Sequence, residues 1–307
     1  MTGAARVLVT GASGLVGRPT LNALVERGYE VHAVARRSAP ADVPDGVAWH
    51  IVDLLDAGAR RALIGSLRAS HLLHLAWHAE PGAFWTAREN APWVAATIGL
   101  VDEFATAGGA RATLAGTCAE YDWSASQPLA EDAPLAPATY YGICKDATRR
   151  VVKALAAVGG ISLSWGRIFF LYGPREDPRR LVASVARALA AGERAPTSAG
   201  MQRRDFLHVD DVAGAFVALL ASDVAGAVNI ASGTPVTVRS IVEQLAECAG
   251  RRDLLDVGAL ASRPDDPDEI TADVRRLRDE VGFAPAFALP EGLAQTLRWW
   301  RDQPRVL

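Results

Sequence analysis

The sequence has few of the residues that would build a disulfide-stabilised or metal-dependent protein. Its 307 residues include three cysteines, Cys118, Cys144 and Cys248, which are far apart and form no CxxC pair. This usage excludes a disulfide framework and a cysteine zinc site, and it is typical of the reducing cytoplasm. We therefore expect a cytoplasmic location and no bound metal.

Strong charge of one sign and long apolar segments are also missing. The formal net charge of -3 provides no basic field for a nucleic acid. The first apolar run, 7–9, stops at Thr10 and Gly11, and no stretch is long and apolar enough to span a bilayer. We expect a soluble protein with no nucleic-acid or membrane partner.

Apolar material for a large core is present, since 50% of the residues are hydrophobic and 22% are charged. Short apolar runs alternate with helical patterns in the first half of the chain. The predicted strands are 7–9, 31–35, 47–52, 71–76, 112–115 and 161–168, and the predicted helices are 15–27, 59–68, 91–107 and 141–158. This alternation predicts an α/β fold of the Rossmann type, with a doubly wound parallel sheet.

The character of the chain changes near residue 170. Loops become richer in proline and charge, between amphipathic helices predicted at 181–191 and 238–249. We expect a nucleotide-binding domain over 1–170 and a smaller, mainly substrate-binding α/β domain over 171–307. Residues of about 205–235 are expected to pack back onto the first domain.

Three glycines follow the first predicted strand and open the first helix. Gly11 permits a tight turn, Gly14 lets the backbone approach a pyrophosphate, and Gly17 lets the helix pack close to the sheet. The helix N-terminus then faces the anion, beside Ser13, Leu15 and Val16. A plain strand-to-helix loop is the alternative, which the following βαβ pattern makes less attractive.

The end of the second strand indicates which dinucleotide binds. An acidic residue there would hold the adenosine ribose hydroxyls of NAD, but Arg36 and Arg37 stand there instead. Guanidinium groups suit a 2′-phosphate, so NADP(H) is preferred and NAD(H) is possible, with a solvated basic turn as the alternative. Asp53, followed by Leu54, ends the third strand and either contacts adenine or caps the next helix.

A catalytic set follows further along the chain. Tyr141 and Lys145 are four residues apart and share one helix face. A nearby ammonium is expected to lower the pKa of the phenol and make it a usable acid or base. Thr117, at a strand end, supplies a hydroxyl for the reacting oxygen.

These motifs resemble the extended short-chain dehydrogenase/reductase family, above all its nucleotide-sugar epimerases, dehydratases and ketoreductases. The resemblance covers nearly the whole chain and includes 10–17, Leu75 with Ala76, 116–121, and 204–212. It implies Thr117, Tyr141 and Lys145 as catalytic residues, Arg204 and Arg263 as ligands of a nucleotide diphosphate sugar, and a homodimer. The residues expected to bind the cofactor are Gly11, Ser13, Gly14, Leu15, Val16, Arg36, Arg37, Asp53, Leu54, Leu75, Ala76, Tyr141 and Lys145. Those expected to bind substrate are Thr117, Cys118, Arg204 and Arg263.

Departures from the family pattern select the reaction. The 4,6-dehydratases carry Asp-Glu after the threonine, whereas Cys118 and Ala119 stand here. Phe170 replaces an asparagine that touches substrate phosphates, and Glu120 is expected to meet a sugar hydroxyl or solvent. We expect NADPH-dependent reduction of the C4 ketone of a nucleotide-linked 4-keto-6-deoxy sugar. The alternatives are an epimerase with tightly bound NAD, a reductase of a lipophilic ketone or aldehyde, and a non-catalytic NADP-binding regulator.

Weaker candidates complete the set. His74 and His78 have metal-compatible spacing only on a helix, and the local pattern is a strand. The tryptophans at 77, 85, 93 and 123 either line a cleft or pack in the core.

Overall fold

The helices surround one large sheet and extend into the C-terminal part of the chain. The computed structural model describes residues 4–303. Within that range the helices are α1 (Gly17–Glu26), α2 (Ala57–Leu67), α3 (Asn90–Thr106), α4 (Tyr140–Gly159), α5 (Leu181–Ala191), α6 (Val209–Ala221), α7 (Val238–Ala249) and α8 (Leu289–Asp302). None of these helices is both long and apolar enough to cross a membrane.

The strands are short, and most of them alternate with the helices. They are β1 (Arg6–Thr10), β2 (Glu30–Ala35), β3 (Ala48–Ile51), β4 (His71–His74), β5 (Arg111–Thr117), β6 (Ser162–Ile168), β7 (Phe170–Tyr172), β8 (Ala195–Thr197), β9 (Arg203–His208), β10 (Gly226–Ile230), β11 (Pro235–Thr237), β12 (Leu255–Val257) and β13 (Glu269–Ile270). Short helical turns occur at Cys118–Glu120, Arg252–Leu254 and Arg276–Glu280.

The central sheet has seven strands in the order β10-β6-β5-β4-β1-β2-β3. Every neighbouring pair in it is parallel. The chain moves outward to β2 and β3 on one side of β1, then returns to β4 on the other. This reversal opens a crevice at the carboxyl ends of β1 and β4, which is where such sheets bind ligands. The predicted doubly wound parallel sheet is confirmed.

Both faces of the sheet are covered, so its inner strands are apolar on both sides. Successive β1 residues enter different cores because strand side chains alternate between the faces. Val7 and Val9 pack with α1 and α6, whereas Leu8 packs with α2 and α3. Burying each such side chain contributes about 1.5–3 kcal/mol.

The C-terminal part of the chain has its own core and two small sheets. Helices α5, α7 and α8 pack around buried residues such as Leu189, Leu245 and Leu297. Strand β9 pairs with β7, β11 and β13, while β8 pairs with β12. Strand β10 instead joins the central sheet beside β6, and α6 packs on that sheet with α1.

A buried ion pair connects α2 to α3 beside the crevice. Arg60 donates from Nε and Nη2 to the two Glu103 carboxylate oxygens, both at 2.9 Å. Its Nη1 donates to the Leu54 carbonyl at 2.8 Å, so the pair also holds the loop after β3. The side chains are 7% and 9% exposed, which means that either charge would be costly without the other.

Replacement of Glu103 by alanine should lower the free energy of unfolding by about 3–5 kcal/mol, because it leaves the Arg60 guanidinium buried and unpaired. Urea denaturation followed by circular dichroism measures this. The control is Glu247→Ala, which removes a highly exposed pair with Arg252 and should cost little. Equal midpoints for the two variants would show that the α2–α3 pair is unimportant.

Candidate active site

A cavity of about 1050 Å³ opens at the carboxyl edge of the central sheet, at the crevice between β1 and β4. It brings together residues that lie far apart in the sequence. The predicted site residues that line it are Gly11, Ser13, Gly14, Leu15, Val16, Arg36, Asp53, Leu54, Leu75, Ala76, Thr117, Cys118, Tyr141, Lys145, Arg204 and Arg263. Arg37 is the one predicted residue outside this lining.

The glycine turn has the close contacts that the dinucleotide interpretation requires. Gly11 has a φ of +70°, and a Cβ there would lie 2.7 Å from the Ala76 backbone nitrogen. A Cβ on Gly17 would lie 2.1 Å from the Gly11 carbonyl oxygen. Gly17 therefore lets α1 approach the glycine turn closely. The predicted role was instead close packing of the helix on the sheet.

Helix α1 begins with its backbone N–H groups free of competing side chains. Val16 is the N-cap, no side chain caps the helix, and its first turn contains no acidic residue. The positive end of the helix therefore faces the cavity without a neutralising group, as expected for a pyrophosphate site. The residues present fit a dinucleotide.

The residues predicted to bind the adenosine half of the cofactor lie at the ends of β2 and β3, and they differ in their positions. Arg36 is exposed and lines the cavity, whereas Arg37 contributes its carbonyl oxygen to Trp49 Nε1 at 2.9 Å. The Asp53 carboxylate accepts from the Leu55 N–H at 3.1 Å. The N-cap of α2 is Asp56, so the helix-cap interpretation of Asp53 is wrong.

Thr117 ends β5 with a hydroxyl aimed at the cavity. Its Oγ1 accepts a hydrogen bond from the Ala119 N–H at 3.2 Å. Because that bond uses an acceptor site, the hydroxyl proton remains available for donation. The Thr117 hydroxyl also acts on the Tyr141 phenol, and its effect is to lower the pKa of that phenol.

Helix α4 approaches Thr117 through a residue without a side chain. A Cβ on Gly142 would lie 2.4 Å from the Ala119 carbonyl oxygen, so glycine permits this approach. Thr139 caps the helix by accepting from the Gly142 N–H at 3.1 Å. Tyr141, next to Gly142, is consequently held beside the strand end.

Lys145 lies one turn further along α4 and is 4% exposed. Its Nζ donates to the Ala115 carbonyl at 2.9 Å and lies 3.9 Å from the centroid of the Trp77 ring. A cation over an aromatic face is attracted to the ring quadrupole. These two contacts hold the ammonium at the inner end of the cavity.

Burial dominates the electrostatics of this pair. It lowers the pKa of Lys145 to about 7, against the opposing effect of Glu120. It raises the pKa of Tyr141, although the hydrogen bond with Thr117 acts in the opposite direction. The predicted lowering of the Tyr141 pKa is wrong for this site, because desolvation of a buried phenolate outweighs a nearby cation.

The end of β4 lies between the glycine turn and α3. Strand β4 stops at His74, so Leu75 and Ala76 line the cavity from the following loop. The His74 ring nitrogens lie 2.7 Å from Thr10 Oγ1 and 2.9 Å from Thr97 Oγ1. Burial lowers the pKa of His74 to about 3, so it is a neutral ring held by two hydroxyls.

Aromatic side chains line much of the cavity, including all four tryptophans in question. We use the term aromatic wall for Phe84, Trp85 and Trp123. The Phe84 ring centroid is 4.9 Å from that of Tyr141, and the Trp85 centroid is 5.9 Å from it. The Tyr141 N–H donates to the Trp85 carbonyl at 3.1 Å, which ties the wall to α4.

The other residues predicted to bind substrate, Cys118, Arg204 and Arg263, differ in how exposed they are. Cys118 is buried, and burial raises the pKa of its thiol to about 12. Arg204 is 3% exposed, donates to Asp266 Oδ1 at 2.6 Å and lies over the Phe170 ring. Arg263 is exposed on the loop that carries Asp266.

Two charged residues of this region occupy positions that the sequence does not predict. Arg180 lines the cavity, and its charge acts on the Tyr141 pKa. Arg180 stands directly before α5. The richness of this loop in proline and charge is the one feature of the sequence that points to it. Glu120 is fully buried and is not among the residues that line the cavity, so both expectations for it are wrong.

Known proteins resemble this chain over nearly its whole length. Residues 7–231 match the model of the NAD dependent epimerase/dehydratase family. A dTDP-glucose 4,6-dehydratase of Streptomyces griseus is 28% identical over 96% of this chain and 93% of its own. A 3-diazoavenalumate denitrifying reductase of a Streptomyces species is 31% identical over 80% of this chain and 82% of its own.

A solved structure shows the same architecture. MoeE5 in complex with UDP-glucuronic acid and NAD is 33% identical and superposes with a TM-score of 0.83, over 97% of this chain and 99% of that one. The chain therefore belongs to the NAD-dependent epimerase/dehydratase family, the extended short-chain dehydrogenases/reductases, and is an enzyme of that oxidoreductase type.

Proposed function

We propose that the protein reduces the C4 ketone of a nucleotide-linked 4-keto-6-deoxy sugar with NADPH. The observation that carries this proposal is a hydroxyl pair, Thr117 and Tyr141, at a cavity where the next residues offer no acid or base. The Cys118 thiol stays protonated at neutral pH, and Ala119 has no ionisable group. The site is thus suited to proton transfer at one oxygen and unsuited to removal of water from a sugar.

Thr117 and Tyr141 would bind the carbonyl oxygen between them. The Thr117 hydroxyl, whose oxygen accepts from the Ala119 N–H, would donate its proton to the carbonyl oxygen, and the Tyr141 phenol would transfer its proton to that oxygen as charge develops. The raised pKa of Tyr141 keeps the phenol protonated at neutral pH, which is the form that reduction consumes. Bound nicotinamide supplies the hydride.

The glycine turn and the free end of α1 would hold the dinucleotide, with Lys145 at its nicotinamide half. NAD is the cofactor in the MoeE5 complex. NADP(H) is proposed here because Arg36 lies exposed at the cavity where a ribose-binding carboxylate would stand. A 2′-phosphate gains charge-assisted hydrogen bonds from that guanidinium.

The sugar end of the substrate would lie against the aromatic wall. Phe84 and Trp85 present apolar ring surface next to the Tyr141 ring. This surface suits the methyl group of a 6-deoxy sugar better than a hydroxyl, which would lose its hydrogen bonds to water. Arg263 and Arg204 would bind the diphosphate, Arg204 after exchange of its bond to Asp266.

An epimerase with tightly bound NAD is the nearest alternative. Extraction of the cofactor from freshly purified protein separates the two proposals, since retained NAD favours the epimerase and an NADPH-loaded or empty site favours the reductase.

A second candidate function is reduction of an aromatic or lipophilic carbonyl compound. The aromatic wall supports it, as does the 31% identity to a denitrifying reductase whose name indicates no sugar substrate. The two candidate functions differ in their need for Arg204 and Arg263, because a substrate without phosphate has no anion for these cations to bind.

Tyr141→Phe should lower kcat for NADPH-dependent reduction by about 10²–10⁴-fold, because the reacting oxygen loses its proton donor. Loss of NADPH absorbance with a 4-keto-6-deoxy nucleotide sugar measures it. Tyr140→Phe, on the same helix but outside the cavity lining, is the matched control and should retain activity. Robust turnover by Tyr141→Phe would refute the mechanism.

Arg36→Asp should shift the ratio of kcat/KM for NADPH over NADH by about 10–100-fold toward NADH, since it replaces a phosphate-binding cation by a repelling anion. Arg37→Asp changes the charge equally at the neighbouring residue outside the cavity lining, and it should change the ratio far less. Equal shifts in the two variants would indicate only a general electrostatic effect, and an unchanged ratio would disprove the assignment.

Arg263→Ala should raise KM for the nucleotide sugar about tenfold or more, because a charge-assisted contact with the diphosphate is lost. The control is Arg278→Ala, which removes an exposed arginine outside the cavity. If a ketone without phosphate is turned over well and Arg263→Ala leaves its KM unchanged, the second candidate replaces the first.

A further inference from the structure

The Glu120 carboxylate lies directly behind the reacting hydroxyls, within the protein. Its Oε1 accepts from the Thr117 N–H at 2.9 Å and from Trp165 Nε1 at 2.8 Å. The short turn Cys118–Glu120 brings the side chain back onto the strand end, where Thr117 and Glu120 cap the turn reciprocally. One oxygen of Glu120 therefore fixes the backbone of the residue whose hydroxyl faces Tyr141.

The second carboxylate oxygen lies between two arginines. Oε2 accepts from Arg167 Nε at 2.8 Å, and Arg149 Nε lies 3.6 Å away. Arg167 is 1% exposed and also donates to the Tyr121 hydroxyl and to the Glu131 carbonyl. A buried charge held by this many partners is expensive to move or remove.

The end of β5 has a glycine at a position where this carboxylate lies close. A Cβ on Gly116 would lie 2.0 Å from Trp165 Nε1 and 2.8 Å from Glu120 Oε1. Gly116 stands between Ala115, which accepts from Lys145, and Thr117, which Glu120 holds. Three consecutive residues of β5 thus connect Glu120 to both the lysine and the threonine of the site.

We infer that Glu120 is a positioning residue of this active site: its carboxylate fixes the Thr117 backbone, and its negative charge favours the ammonium form of Lys145. The part concerning Thr117 rests on the proposed function, whereas the part concerning Lys145 does not. Glu120 itself touches neither the cavity nor the reacting atoms.

The charges around Lys145 support this inference. Burial lowers the Lys145 pKa to about 7, and Glu120 is the group that acts against burial. From β4 the facing titratable group is His74, which is neutral. Cys118 and Tyr141 are also neutral at pH 7, because burial raises both pKa values. Glu120 is accordingly the anion that acts on the lysine, with Arg167 and Arg149 beside it.

The chain offers a direct measurement, because its only lysines are Lys145 and Lys153. In protein labelled with ¹³C-lysine, two Cε signals can be titrated by NMR, and Lys153→Arg assigns them. We expect Lys145 to titrate near pH 7 in the wild-type chain. Glu120→Gln should lower that midpoint by about one pH unit, and Glu120→Asp, which keeps the charge, should lower it far less.

A matched control separates charge from lost stability. Glu103→Gln breaks another largely buried ion pair, on the α2–α3 side, and should leave the Lys145 midpoint unchanged. A Lys145 midpoint that is the same in wild-type and Glu120→Gln protein would overturn the electrostatic part. Since this titration needs neither substrate nor cofactor, its result is independent of the proposed function.

The positioning part is tested by kinetics once the wild-type activity is established. Glu120→Asp is shorter by one methylene and withdraws from the Thr117 N–H, so kcat should fall about 10–100-fold while KM changes little. Glu120→Gln retains the reach and should recover part of that loss. A folded Glu120→Asp protein with wild-type kcat would overturn the positioning role.

A milder variant covers the case in which the Glu120 variants do not fold. Trp165→Phe keeps both buried charges and removes one of the two donors to Oε1. It should lower kcat by about threefold or more at unchanged KM, as expected when a neutral hydrogen bond of the network is lost. Unchanged kcat in this variant would equally overturn the proposal.

Discussion

The reversal of strand order between β1 and β4 is the constraint on which the rest of the structure depends. In a parallel sheet all carboxyl ends lie at one edge, and the reversal leaves no helix covering that edge at the switch point. The glycine turn after β1, Arg36 after β2, Leu75 after β4 and Thr117 at the end of β5 consequently line one cavity. Close packing within it then depends on the missing side chains of Gly11, Gly17 and Gly142.

Burial within this cavity decides which groups carry charge. Desolvation leaves the His74 ring, the Cys118 thiol and the Tyr141 phenol neutral at pH 7, and it lowers the pKa of Lys145 to about 7. A buried ion pair, formed by Glu120 and Arg167, lies behind the reacting hydroxyls. A phenol that stays protonated at pH 7 can donate a proton but cannot accept one, which supports the proposed reduction.

Sequence reasoning was accurate where local pattern determines structure. Helices α5 and α7 begin and end where the apolar periodicity predicted, and the strand-turn-helix around Gly11 was recognised from adjacent residues alone. It was less accurate where partners are distant in the chain. Arg204 pairs with Asp266, 62 residues away, and Glu120 contacts Arg167, 47 residues away, so their environments could not be inferred from their neighbours.

The same limit affected the direction of a pKa. The four-residue spacing placed Tyr141 and Lys145 on one helix face, but it contained no information about how deeply they are buried. Trp77, Phe84 and Trp85 supply much of that burial from the segment before α3. The aromatic residues were visible in the sequence, but their contacts with Tyr141 and Lys145 depend on the fold and could not be read from it.

Residues that assemble the fold and residues proposed to contact the substrate lie in different parts of the chain. Two of the three acidic residues of the 204–212 motif hold backbone groups: Asp205 accepts from the N–H groups of Ser232, Gly233 and Ala272, and Asp211 accepts from those of Ala286 and Phe287. Such residues identify the fold because they assemble it. The segments around Trp85 and Arg263, against which the proposed substrate would lie, line the cavity and take no part in these contacts of Asp205 and Asp211. Changes there can alter what binds while the hydroxyl pair at β5 and α4 stays in place.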